Sequence, residues 1–185
     1  MNFEKFSKLD GTHAPFSPSQ PYWLRYDDDK AIAYLNSKRA AERGTKLHEW
    51  AKTTIDLGIK QPRSNATLYA YVNDAIGFHM STEVTLRYSD RIYGTADAIS
   101  FRKNKLRVHD LKTGRGPVHR EQLIIYVALF CLQYRVRPED IYIECRIYQN
   151  DKIDAFNPTP EEVHHVMDRI EHIDKIAKEY ENSEV

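Results

Sequence analysis

A chain of 185 residues that is 41% hydrophobic and 29% charged has the size and composition of a soluble globular protein. Its 27 basic and 27 acidic residues balance, which excludes a polycation that coats nucleic acid without discrimination. No apolar run approaches the roughly 18 residues of a membrane span, and the start lacks the apolar core of a signal peptide. The two cysteines, Cys131 and Cys145, are too few for a disulfide framework or a four-cysteine iron–sulfur cluster, so we expect a reducing, cytoplasmic setting.

The first third of the chain is predicted to be helical after an irregular start. Pro, Ser and Gly are frequent over residues 1–21, and their arrangement favours a short helix over 19–26. Residues 30–57 contain good helix formers and few breakers, and Gly58 is a natural end for that helix. A second helix is predicted over 65–78.

The hydrophobic pattern then changes to the alternation that is typical of β-strands. Apolar and polar residues alternate over 84–88 in a first strand, and short turns separate it from strands over 92–101 and 106–112. Because both connections are short, we expect the three strands to form an antiparallel meander.

Helix and strand alternate in the remaining sequence. A strongly apolar helix is predicted over 118–134, and a fourth strand over 141–147. Thr159, Pro160 and Glu162 form the capping box of a last helix over 159–182.

These elements predict a fold of the α/β or α+β class, in which helices flank a central mixed sheet that contains the antiparallel three-strand meander. We expect a single domain over 1–185. Its parts would be an arm and short helix over 1–28, a core over 30–150 and a final helix over 159–182.

Three charged residues on the predicted meander are candidates for a metal site. Asp110 and Lys112 are two residues apart on one strand, so their side chains point to the same face. Asp97 lies on the neighbouring strand and can approach Asp110, where the two carboxylates would repel unless a cation lay between them. Oxygen ligands favour a hard divalent ion, Mg²⁺ or Mn²⁺, which can polarise a phosphodiester and activate a water. Lys112 could then orient that water or neutralise phosphate charge.

Two predicted helices add candidate partners. His48 lies on the long helix, whereas Gln122 and Tyr126 share one face of the apolar helix, where both could bind a phosphate or brace the site. Residues 101–120 carry seven Lys or Arg residues against one acid, which fits a local phosphate-binding surface. Each feature alone is common without any chemistry, as a surface ion pair, a half-buried histidine or the polar edge of a core. Their joint occurrence on compatible elements favours a functional site.

The ordered set of motifs resembles the PD-(D/E)XK nuclease superfamily, in the RecB-like branch that includes lambda-type and CRISPR-adaptation exonucleases. The signature of that branch is a helical His, followed by G-x-x-D, (D/E)-x-K and Q-x-x-x-Y. It falls here on His48, Gly94 with Asp97, Asp110 with Lys112, and Gln122 with Tyr126. The match covers residues 16–150 and implies the restriction-endonuclease-like core of the superfamily.

The resemblance also implies roles for individual residues. The residues that would bind Mg²⁺ or Mn²⁺ are His48, Asp97, Asp110 and, through its carbonyl, Leu111. Lys112 would serve the attacking water, and Glu83 stands where several relatives carry a further acidic group. Gln122 and Tyr126 would contact or position the DNA strand. Charge and proximity, and not the resemblance, add Thr113, Arg115 and Lys46 as candidate phosphate contacts.

The expected function is metal-dependent hydrolysis of single- or double-stranded DNA by an exonuclease of phage or bacterial recombination or repair. Two alternatives stay open: a structure-selective endonuclease with the same fold, and an inactive protein that binds nucleic acid or serves assembly. The sequence has no G-x-x-x-x-G-K-[ST] P-loop, so a helicase would be a partner of this chain, as would a recombinase. A homo-oligomer is compatible with the sequence, and no membrane partner is expected.

Overall fold

The computed structural model describes residue 7 and residues 14–183. The chain divides into two compact units, residues 1–46 and 47–185, and helix α1 (Asp28–Asp56) begins in the first and ends in the second. None of the helices in the described ranges combines the length and the apolar character that crossing a bilayer requires.

In the first unit, aromatic side chains hold the segment that precedes α1. The helix predicted over 19–26 is a 3₁₀ helix confined to Pro21–Arg25, because so short a stretch closes only the tighter i→i+3 turns. Trp23 packs against Phe16 and its ring N–H donates to the carbonyl of Ser17 at 3.0 Å.

In the second unit, two helices cover one face of a sheet. Helix α1 ends at Asp56, and Gly58 takes a left-handed backbone with φ 66°, as predicted for a terminating glycine. Helix α2 covers Thr67–Gly77, inside the predicted range. The residues buried between these helices and the sheet include Ala51, Ile55, Tyr71, Val72, Leu111 and Tyr148.

The sheet has five strands in the order β1-β2-β3-β4-β5. Their bounds are Ser81–Arg87, Tyr93–Arg102, Lys105–Leu111, Tyr142–Gln149 and Lys152–Phe156. The first three strands form the predicted antiparallel meander, β4 runs parallel to β3, and β5 is antiparallel to β4. The predicted α+β class, with a mixed sheet flanked by helices, is therefore confirmed.

Strand β5 is not predicted by the sequence pattern. Asn150 and Asp151 have left-handed backbones, with φ 49° and 59°, and form the tight turn of a β4–β5 hairpin. The five residues of β5 form an exposed or half-buried border strand, so they lack the apolar alternation that identifies a strand. A smaller difference concerns Lys112, which follows the end of β3 instead of lying within it.

Two further helices pack on the opposite face of the sheet. Helix α3 covers Arg120–Tyr134, and helix α4 covers Pro160–Ser183. The predicted capping box of α4 is formed: the N–H of Thr159 donates to Glu162 Oε2 at 2.8 Å, and the N–H of Glu162 donates to Thr159 Oγ1 at 3.2 Å. The core under these helices includes Leu106, Val108, Leu123, Val127, Ile147 and Val163.

Candidate metal centre

Three carboxylates lie at one level of the sheet, in a group that we call the carboxylate row: Glu83 of β1, Asp97 of β2 and Asp110 of β3. The flanking pairs of the β1–β2 ladder place Glu83 opposite Asp97. The β2–β3 ladder pairs Ala98 with His109, so the next position places Asp97 opposite Asp110. Like charges that face each other across a sheet destabilise it, which calls for a compensating cation.

The backbone of Glu83 is unusual for a residue inside a strand. Its φ is 51°, which lies in the left-handed region that a non-glycine residue adopts only at a cost in free energy. Backbone strain of this kind is concentrated at functional sites, where it helps to direct a side chain.

His48 of α1 completes a group that could hold a metal ion. One ligand atom each of His48, Glu83 and Asp97 lies within 4.8 Å of the others, and His48 Nδ1 is 3.6 Å from Asp97 Oδ2. One imidazole nitrogen with carboxylate oxygens suits a divalent cation such as Mn²⁺ or Mg²⁺. Asp110 lies outside that group, so the structure brings together three of the candidate acidic and histidine ligands and leaves the fourth beside them.

Asp97 is the electrostatic centre of the row. Burial, followed by the neighbouring charge of Asp110 and to a smaller extent that of Glu83, raises its pKa to about 6, against the lowering effects of a backbone hydrogen bond and of His48. That hydrogen bond comes from the N–H of Leu111, which donates to Asp97 Oδ2 at 2.8 Å. A carboxylate whose ionised form is disfavoured in this way would be stabilised by a nearby cation.

Asp110 and Lys112 form the second part of the centre. The ammonium of Lys112 donates to Asp110 Oδ1 at 3.1 Å and to Gln122 Oε1 at 2.8 Å. Asp110 is only 3% exposed, and its Oδ2 accepts no hydrogen bond from the described residues although Lys112 Nζ lies 3.1 Å away. A buried carboxylate oxygen with unused acceptor capacity is what a further ligand to a cation would offer.

Helix α3 braces this arrangement through the predicted i, i+4 pair. Gln122 holds the ammonium of Lys112, and its Nε2 donates to the phenol oxygen of Tyr126 at 3.5 Å. The hydroxyl of Tyr126 donates to the carbonyl of Thr95 at 2.7 Å, which joins α3 to β2. Both side chains therefore act on the position of Lys112 and of the strand that carries Asp97.

The other predicted contacts are not drawn into the centre. Thr113 and Arg115 are exposed in the loop after Lys112, and neither side chain has an ion pair or hydrogen bond with another described residue. The loop itself is held by Gln149, whose Nε2 donates to the carbonyls of Gly114 and Gly116 at 2.7 and 2.9 Å. Lys46 is an exposed residue of α1 in the first unit.

A polar network that joins α2, β3 and β4 was not predicted from the sequence motifs. The hydroxyl of Tyr148 donates to Asp74 Oδ2 at 2.6 Å and lies 3.2 Å from His109 Nδ1, while Arg146 Nη1 is 2.8 Å from the same Asp74 oxygen. Burial, with Arg146, lowers the pKa of His109 to about 3, so its ring is neutral. The sequence could have indicated this position of His109, because neighbouring residues of a strand point to opposite faces and His109 must therefore face away from Asp110.

No family model matches this chain, and no curated protein matches it. The side chains of the centre are three carboxylates and an imidazole that can hold a divalent cation, and an ammonium fixed beside them.

Proposed function

We propose that this chain is a Mg²⁺- or Mn²⁺-dependent phosphodiester hydrolase of the PD-(D/E)XK type that acts on DNA. The observation that carries the proposal is the ammonium of Lys112, fixed between Asp110 and Gln122 next to the carboxylate row. An acidic group alone would indicate cation binding at most. An amine held at its border adds a group that can stabilise negative charge on a phosphate.

The residues of the centre fit a divalent ion. The raised pKa of Asp97, the unused Oδ2 of Asp110 and the approach of His48 to Asp97 all favour a cation at the row. A bound Mg²⁺ or Mn²⁺ would supply Lewis-acid polarisation of the phosphodiester and neutralise the clustered carboxylates.

The protein's own groups would then do the positioning. Lys112 would donate to a phosphate oxygen or to the attacking water from a site that Asp110 and Gln122 fix in advance. Tyr126 would keep β2 and α3 in register, so that Asp97 and Lys112 face the same phosphate. Thr113 and Arg115, exposed in the adjoining loop, are proposed contacts to the DNA backbone.

The proposed mode is that of an exonuclease in the cytoplasm, because the motif set resembles a branch that includes exonucleases and both cysteines are free and buried thiols. The arrangement of the side chains in the centre fits hydrolysis by either an exonuclease or an endonuclease. What distinguishes these two modes is whether the DNA must enter by a free end.

The test uses end-labelled linear DNA, closed circular DNA and labelled RNA with Mg²⁺, Mn²⁺ or EDTA. We expect loss of linear DNA with either metal, intact circles, and no reaction in EDTA. Nicked circles would assign the chain to the endonucleases, and cleavage of RNA alone would change the substrate. Absence of cleavage by a chain that binds Mn²⁺ in calorimetry would refute the hydrolase and favour the binding protein.

A matched pair of variants links any cleavage to this centre. Lys112→Met removes the ammonium and keeps the aliphatic stem, whereas Lys152→Met makes the same change at an exposed position of β5. Cleavage that survives Lys112→Met, or that Lys152→Met reduces equally, would show that another site is responsible.

A further inference from the structure

A cavity lined by several cationic side chains lies at the other end of the meander from the carboxylate row. Its volume is about 630 Å³. It is formed where the β2–β3 hairpin meets the end of α2, and its lining includes Phe78, His79, Arg102, Lys103, Lys105 and Arg107. Lys105 and Asp110 are five residues apart on β3, which corresponds to about 17 Å at the rise of a strand. The cavity is therefore distinct from the metal centre.

The cavity has an excess of positive charge. Glu144 lies 2.8 Å from Lys105 Nζ and 3.4 Å from Arg107 Nε, so one carboxylate serves both cations. The same carboxylate also pairs with Arg146 at 2.9 Å. Arg102 and Lys103 face the cavity without an ion pair to any described residue. No acidic side chain is among the described lining residues, so an anion would meet Arg102 and Lys103 as cations without an acidic partner.

The cavity is also preorganised. Arg107 lies over the ring of Phe78, with the guanidinium carbon 4.3 Å from the ring centroid, and its side chain is only 18% exposed. Its Nε is buried and donates no hydrogen bond to the described residues. That nitrogen faces Glu144, so an anion would be met by the other N–H groups of the guanidinium, which donate no hydrogen bond to a described residue.

The hairpin that carries the exposed cations is fixed as well. Lys103 and Asn104 adopt left-handed backbones, with φ 50° and 55°, as the two central residues of a tight turn. The N–H of Tyr142 donates to the carbonyl of Asn104 at 2.8 Å, which ties the turn to β4. Arg102 and Lys103 are therefore presented from a rigid support, which lowers the entropy lost when they bind a ligand.

We propose that this cavity binds a phosphate group, with Arg102, Lys103 and Arg107 as its main contacts. Two sources share that chemistry: a backbone phosphate of a nucleic acid and a free phosphoanion. The first source rests on the proposed function, because it would make the cavity a second contact for DNA about 17 Å along the strand from the centre. The second source does not depend on that function.

The test measures binding by the full chain in EDTA, so that no metal-dependent step contributes. Calorimetry with pyrophosphate reports the free anion, and fluorescence anisotropy with a labelled oligonucleotide over a series of salt concentrations reports the backbone. The variant is Arg102→Ser with Lys103→Ser, because neither side chain has a partner among the described residues. Its charge-matched control is Lys60→Ser with Lys152→Ser, two exposed lysines outside the cavity.

We expect the Arg102→Ser, Lys103→Ser variant to bind at least one of the two ligands about tenfold more weakly. If the cavity binds the nucleic-acid backbone, the slope of log affinity against log salt concentration for the oligonucleotide should also fall by about two in magnitude. The control should bind as the unmodified chain does. Unchanged binding of both ligands by the cavity variant, or no binding of either by the unmodified chain, would overturn the phosphate site. If the cavity variant binds more weakly but the unmodified chain cleaves nothing in Mn²⁺, the hydrolase is refuted and the phosphate site is supported. If the unmodified chain cleaves DNA but the cavity variant binds both ligands normally, the phosphate site is refuted and the hydrolase is supported.

Discussion

Tyr126 lies directly over Gly94, so that a Cβ atom built at Gly94 would stand 3.0 Å from Tyr126 Cε1. The ring must lie there because its hydroxyl donates to the carbonyl of Thr95 at 2.7 Å, one residue farther along β2. The same hydroxyl accepts from Gln122, which holds the ammonium of Lys112. A glycine is therefore needed at position 94 of the G-x-x-D motif, because a larger residue would displace the ring of Tyr126. That ring supports, through Gln122, the lysine that we propose to be catalytic, Lys112.

Gly94→Ala is expected to displace this ring. We expect a loss of about 1–3 kcal/mol in the free energy of unfolding, as for other overpacked sites, and at least tenfold slower cleavage. Urea denaturation and initial rates measure the two effects. The matched control is Gly77→Ala at the end of α2, where a Cβ would meet no heavy atom within 4 Å, so stability should be unchanged or slightly higher. A Gly94→Ala protein with unaltered stability and rate would contradict the packing described.

Asp110→Asn and Lys112→Met are expected to separate cleavage from folding. Each should slow cleavage by about three orders of magnitude, because the first removes a charge from the row and the second removes the ammonium that stabilises phosphate charge. Circular dichroism should show an intact fold. Calorimetry with Mn²⁺ provides the distinction between them: Lys112→Met should keep its affinity or gain some, since Asp110 loses a competing cation, whereas Asp110→Asn should bind more weakly.

Asp97→Asn is expected to have opposite effects with and without metal. Without a divalent ion, removal of a half-buried charge that faces two other carboxylates should raise the free energy of unfolding by about 0.5–1 kcal/mol. Asparagine keeps an oxygen that can accept from the N–H of Leu111. With Mn²⁺ the unmodified chain should gain stability and the variant should not. Thermal unfolding with and without Mn²⁺ tests this, and equal stabilisation of both proteins would place the ion elsewhere.

Asp174 provides a pH dependence that is independent of the candidate centre. It is 1% exposed and is held by Lys178 at 2.8 Å, Ser89 at 2.5 Å and Arg91 at 3.1 Å, which connects α4 to the turn before β2. The hydrogen bond from Lys178, followed by those from Ser89 and Arg91, lowers the pKa of Asp174 to about 2.

Because this pKa is depressed on folding, the stability that Asp174 contributes is present above its unfolded pKa near 4 and is lost as the pH falls toward 2. Asp174→Asn should therefore be less stable than the unmodified chain at pH 7, and the difference should shrink between pH 4 and pH 2. Denaturant unfolding at a series of pH values measures it. A constant difference across that range would show that the carboxylate is not held as described.

The fold followed from sequence where local rules decide the structure. The helix ends at Gly58 and Thr159 and the three-strand meander were all predicted from caps, breakers and alternation. The border strand β5 was not predicted, because an exposed strand of five residues carries too little hydrophobic pattern.

The sequence indicated candidate residues for a site and not their geometry. Spacing along the chain indicated that Asp97 could approach Asp110, but the facing of Glu83 and Asp97 is a property of the register, which is set by packing far along the sheet. For the same reason the hydrogen bond from Lys112 to Gln122 across two elements could not be read from either motif alone. His109 was missed because its partner Tyr148, and Asp74 to which Tyr148 donates, lie on other elements.

The left-handed backbone of Glu83 also bears on how copies of this chain meet. Strand β1 forms one border of the described sheet, and such a border offers backbone groups to which a foreign strand could attach. The irregular residue interrupts that template in the middle of β1 and adds an exposed charge there. The acid that we assign to cation capture would thereby also guard the molecule against fibre-like aggregation.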